Sequence, residues 1–139
     1  MKLGKLSASA LDTEHSAQMH IVDPDSGRTL CDDDGNECYI EFMAIDSSIG
    51  RKLERDRSVA QMRKLRSGRN TDLDDDPVDV QVETLTALAT GWYFGRDADE
   101  FSKTAAKTLF NDPAYAWLRK QAYTFVYTSG NFIRRSSTT

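Results

Sequence analysis

The stretch Leu30–Glu41, LCDDDGNECYIE, gathers both cysteines, three consecutive aspartates, a glycine and a closing glutamate. Three readings meet that composition: a calcium loop, a thiol or metal site, or a tight turn between two strands. An EF-hand loop needs oxygen ligands at positions 1, 3 and 5, glycine at 6 and glutamate at 12. With Gly35 at position 6, Asp32, Asp34 and Glu41 fall at positions 3, 5 and 12. Position 1 is then Leu30, which has no side-chain oxygen, and the flanks read as strands, so calcium is disfavoured. A two-residue type I′ turn at Asp34-Gly35 sets Asp32 opposite Glu37 and Cys31 opposite Cys38. A disulfide across such a pair is strained. There is no CxxC, and His15 and His20 both lie upstream, so a zinc site lacks its four spaced ligands. Cys38 reads as a small apolar packing residue in a hairpin.

Other chemistry has less to stand on. The chain has no GxSxG, phosphate loop or HExxH, and neither histidine has an evident partner for general-base work. Trp92, Phe101, Phe110, Trp117, Tyr123 and Phe125 recur at helical spacing and read first as core. Arg51, Lys52, Arg55, Arg57, Arg63, Lys64, Arg66 and Arg69 crowd one segment. A nucleic-acid surface is one reading of that charge. No aromatic residues interleave the arginines for base stacking, and the acidic run Asp72–Glu83 follows at once. A solvated face, or one turned to an acidic partner, fits better. The expectation is a non-enzyme without metal or cofactor.

The elements that position these residues follow from patterning. The chain has 139 residues and a net charge of −4, enough for one domain and without a global field toward nucleic acid or membrane. No apolar run approaches the ~20 residues of a bilayer span, and MKLGKLSASALDTEHSA lacks a signal-peptide apolar segment. With only two cysteines, a reduced cytosolic setting is expected. Residues 1–16 read as a loose arm and 17–45 as a β-hairpin unit. In that unit Gln18–Val22, Arg28–Cys31 and the alternating Cys38–Ile45 form an antiparallel meander with turns at Asp23–Gly27 and Asp34-Gly35. Residues 46–132 read as about four helices. The first is Ile49–Arg69 after an Asp46–Ser48 cap cluster. Gly68–Asp76 breaks it. Pro77–Trp92 follows with Asp76 as N-cap, its stripe formed by Val78, Val82, Leu85, Ala89 and Trp92. A short helix capped by Ser102 comes next. The last, Ala114–Ser129, closes on Gly130 as a left-handed C′ residue. Residues 133–139 read as a disordered tail. The expected class is α+β, a small antiparallel β unit followed by a mainly helical bundle.

The order of motifs resembles the tail assembly chaperones of long-tailed, siphovirus-type bacteriophages. It is carried by Pro24…Gly27, Asp34-Gly35, Cys38–Met43, Asp46-Ser47 before the arginine-rich segment, Gly91-Trp92, Phe101-Ser102, and Pro113, Trp117, Gln121, Phe125 and Asn131-Phe132. It spans the chain from about Gln18 onward. The family's usual proline before Phe-Ser is Glu100 here, and its glycine before Asp-Ser is Ile45. The resemblance implies a non-enzymatic protein of the host cytoplasm, absent from the mature virion. Such a protein binds the tape measure protein, keeps it soluble and gives way to tail tube protein. It also implies self-association into an oligomer or spiral, for which the opposed charges of Arg51–Arg69 and Asp72–Glu83 are a candidate contact. Arg51, Arg55, Arg63, Lys64, Arg66, Trp92, Trp117 and Phe125 are the expected partner-binding residues. A structural tail or connector protein and a small nucleic-acid-binding regulator remain the alternatives.

Overall fold

The computed structural model describes residues 1–66 and 77–133. The fold is α+β: a three-stranded antiparallel sheet and, among the described residues, four α-helices. Two strands are N-terminal, β1 (Ala17–His20) and β2 (Tyr39–Phe42). They pair directly, Ala17 opposite Phe42 and His20 opposite Tyr39. The expected middle strand Arg28–Cys31 is instead part of an excursion beyond the ladder. It is tied down by single bridges, Val22 to Thr29 and Cys31 to Glu37. The Leu30 N–H donates to Ile21 O, and the Cys38 N–H donates to Leu30 O, each at 2.8 Å.

The turn inside the LCDDDGNECYIE stretch differs from the type I′ expectation. Cys31 faces Glu37, not Cys38, and the Asp32 N–H donates to Asn36 O at 2.8 Å. The loop is therefore Asp33-Asp34-Gly35, with Gly35 at φ +83°. This is the three-residue hairpin whose last loop residue takes the left-handed region. The reason is Asp32. Its Oδ1 accepts the N–H groups of Asp34 (3.0 Å) and Asn36 (2.8 Å), and its Oδ2 accepts the Asn36 amide. That local network outweighs the Asp-Gly preference for a two-residue turn.

After β2 the chain stays buried through Met43, Ala44 and Ile45 instead of alternating. It runs among helix ends. The Met43 N–H donates to Leu88 O at 2.9 Å and the Ile45 N–H to Val126 O at 3.2 Å, so carbonyls that helices leave unpaired satisfy a buried strand exit. Ser47 then caps α1 (Ser48–Arg66), its buried hydroxyl accepting the Gly50 N–H. The expected helix end at Arg69, the Gly68–Asp76 break, the Asp76 cap and the tail after Ile133 lie outside the described residues.

α2 (Pro77–Leu88) starts at proline as expected, but ends four residues earlier than the periodicity implies. Ala89–Tyr93 is a strand, β3, the second edge neighbour of β2. Thr90, Gly91, Trp92 and Tyr93 are poor helix formers and, glycine apart, good strand formers, and the free edge of β2 needs a partner. Glu41 pairs with Gly91 and Phe42 with Ala89, leaving Thr90 as the extra residue of a bulge. β3 joins the expected 17–45 and 46–132 units in one sheet.

α3 (Lys103–Asn111) is capped by Ser102, whose hydroxyl accepts the Ala105 N–H. A 3-10 turn, Pro113–Tyr115, leads into α4 (Ala116–Tyr127), and a second, Ser129–Phe132, follows it. Gly130 is not left-handed; the Asn131 amide caps the helix by donating to Phe125 O. Helices α2, α3 and α4 cover one face of the sheet. Ile40, Phe42, Leu85, Leu88, Ala106, Phe110, Ala122 and Val126 form the dry centre, with Phe42 between the rings of Phe110 (6.0 Å) and Phe125 (6.3 Å). The N-terminal arm carries a 3-10 helix, Gly4–Ser9, and is tied at its end by a Leu11–Ile133 bridge.

Candidate functional site

The three expected aromatic contacts lie on one flank, built from the rims of β3, α3 and α4. Each packs one side on the core and leaves the other partly open. Trp92, on β3 and not on a helix, stacks on Phe94 (4.7 Å) and meets Phe101 edge-on (5.1 Å). Its indole N–H donates to Asp99 O at 3.0 Å, which fixes the ring. Three shallow hollows run together here. One of about 430 Å³ has Trp92, Phe94, Leu109 and Tyr115 on its walls. It shares Phe94, Leu109 and Tyr115 with one of about 270 Å³, lined also by Ile21, Leu30, Cys38, Trp117 and Leu118. Trp117 borders the third, about 660 Å³, with Met19, Val22, Gln121 and Phe125.

Gln121 holds the floor of that third hollow. Its amide accepts from the Val22 N–H (3.2 Å) and donates to Val22 O (2.6 Å), pairing with a strand extension as another strand would. Phe94, Leu109 and Tyr115, central to the flank, were not singled out as partner-binding residues from sequence. Tyr115 lies in the turn before α4, outside any periodic stripe. Its 42% exposure as a large aromatic is a feature that only the coordinates provide.

The expected basic residues lie elsewhere. Arg51, Arg55, Arg63 and Arg66 are exposed along α1 and Lys64 is half-buried; none lines these hollows. Arg57 of α1 has a structural use. It donates to Val80 O (3.0 Å) and Thr84 Oγ1 (2.6 Å) of α2 and lies 3.8 Å from Glu83. Glu83, part of the acidic stretch expected to meet another copy, is thus beside an arginine of its own chain.

The chemistry first suspected at Leu30–Glu41 finds structural uses instead. Asp32 accepts from the Tyr93 hydroxyl as well as from its own loop. These donors, Tyr93 foremost, hold its carboxyl below the ordinary aspartate range. Burial, with Asp32 and Cys31 nearby, pushes the Cys38 thiol up and away from the reactive thiolate. Cys31 is exposed and both cysteines are free. Among the described residues no group of three or more His, Cys, Asp or Glu side chains is arranged to hold a metal ion, and no helix is long and apolar enough to cross a membrane. What the flank can do is cover an apolar surface. In comparisons with family models, curated proteins and solved structures, nothing matches the chain.

Proposed function

We propose that this chain is a tail assembly chaperone of a long-tailed bacteriophage. In this reading it works in the host cytoplasm, holds apolar helical segments of the tape measure protein until tail tube subunits replace it, and is absent from the virion. The observation that carries the site is the run of hollows from Trp92 through Tyr115 and Trp117 to Phe125. An amphipathic helix lays its apolar face into such a groove, and shallow hollows suit a client that must later be released. The motif order from Pro24 to Phe132 supplies the class of client. Copies of the chaperone along a long client gain strength by multivalency without tight individual contacts.

Co-expression with the tape measure protein of the same phage tests the reading. The full chain should keep the tape measure protein in the soluble fraction and co-purify with it. Tyr115→Glu, in the exposed part of the groove, should lower recovery at least about tenfold. Purified virions should lack the protein. Its presence in virions would favour a structural tail component, and salt-sensitive retention on duplex DNA would favour a nucleic-acid-binding role for α1.

A further inference from the structure

The two faces of the sheet differ. Strand alternation sends Met19, Ile40, Phe42 and Trp92 toward the core and the residues between them to the other side. There the register sets His20, Tyr39 and Tyr93 in one row, a ring from each strand. Tyr39 meets His20 edge-on (6.2 Å) and lies nearly parallel to Tyr93 (6.1 Å). The next row is Gln18, Glu41 and Gly91. Its glycine makes room. Glu41 Oε2 lies 3.4 Å from where a Cβ on Gly91 would stand, so the carboxylate rests over β3, one row from the tyrosines. Tyr39, Glu41 and Tyr93 are half-buried and His20 is exposed.

We infer that this face binds an arginine-bearing segment of a partner protein, one guanidinium stacking on the tyrosines and pairing with Glu41. The charge here is one-sided. The Glu41 carboxylate accepts from the neutral Gln18 amide at 3.5 Å, and among the described residues it is in no ion pair. Glu37 bridges to His20 at 2.9 Å, and Asp32, bonded to the Tyr93 hydroxyl, adds a third carboxylate. Arg96, three residues on from Tyr93, pairs with Asp34 at 3.2 Å. A cation beside rings and a half-buried carboxylate gains from both, with less screening than on open surface. A guanidinium uses both best, being planar, weakly hydrated and forked toward a carboxylate. The same carboxylates repel phosphate, which disfavours nucleic acid on this aromatic row. The face is separate from the flank proposed for the client, since His20, Tyr39, Glu41 and Tyr93 line none of its hollows.

Titration of the full chain, its tyrosine rings isotope-labelled, with the blocked peptide acetyl-Gly-Arg-Gly-Arg-Gly-amide tests it by NMR. The rings of Tyr39 and Tyr93 should shift, and that of Tyr115, in the client groove, should not. The lysine counterpart of the peptide should bind at least about threefold more weakly. Glu41→Gln and Tyr39→Leu should each weaken binding of the arginine peptide at least about fivefold. Tyr39→Leu leaves every charge in place, so its loss separates a ring contact from general attraction to an acidic chain. Asp25→Asn removes an equal charge from the exposed Asp23–Gly27 turn and should change binding less than about twofold. Thermal unfolding checks that the variants fold, and Glu41→Gln decides the matter if Tyr39→Leu does not. Rings of Tyr39 and Tyr93 that do not shift, binding indifferent to Glu41→Gln, or an equal loss in Asp25→Asn would overturn the inference. So would a single-stranded oligodeoxythymidine that shifts the same rings where the peptide does not.

Discussion

Asp32 holds the tip of the first hairpin through both of its oxygens, and Tyr93 extends that hold to the far strand of the sheet. A carboxyl held below its ordinary pKa adds stability above the unfolded value, about 3.9, and loses it as pH falls through the lower folded value. Tyr93→Phe should therefore move the Asp32 titration up toward the ordinary value, read from its carboxyl carbon by NMR. The acid-induced loosening of residues 32–36 should begin at a correspondingly higher pH. Gly50 is the other residue whose role is local and steric. A Cβ there would lie 2.1 Å from Ile45 O and 2.6 Å from its carbonyl carbon, both backbone atoms. Gly50→Ala should cost about 3 kcal/mol, measurable as a lower denaturation midpoint with an unchanged slope. The sequence shows a glycine in the first turn of a helix. Only the course of Ala44–Ser47 beneath it says why.

At the scale of elements, the link between α1 and α2 shows how one side chain joins two helices. Gly50 is the one buried residue of α1 among the described residues, and Arg57 hydrogen-bonds to Val80 O and Thr84 Oγ1 of α2. Arg57→Met should leave α2 to α4 intact while speeding amide hydrogen exchange along α1, since it removes two hydrogen bonds worth about 1–3 kcal/mol. The helices themselves were legible from sequence: Pro77 at a start and Ser102 as a cap. The end of α2 was not. Ala89 and Trp92 continue the helical stripe by spacing, yet the open edge of β2 turns them into a strand, a long-range choice that no local window contains. Lys103 reinforces it from α3, its ammonium donating to Thr86, Ala87 and Ala89 carbonyls at 2.8, 3.0 and 2.6 Å.

At the scale of the molecule, β3 makes the division between an N-terminal β unit and a helical domain a division of sequence, not of structure. Residues 46–139 alone should fail to fold, because β3 would lose β2 and the space between Phe110 and Phe125 would lose Phe42. The expected result is a circular dichroism spectrum without a cooperative thermal transition, against a single transition for the full chain.

Composition and periodicity were enough to determine the class, the existence and order of the helices and the packing role of Cys38. They act through local forces: caps, turns, and the alternation or helical spacing of apolar residues. Tertiary structure decided the rest. It set Cys31 opposite Glu37, turned Trp92 from helix to strand, and drew Trp92, Tyr115, Trp117 and Phe125 onto one flank while leaving the arginines of α1 on another surface. Each of those outcomes depends on pairing between residues far apart in the chain, where the free energy of closing a sheet edge or filling a core outweighs the preference of any short segment.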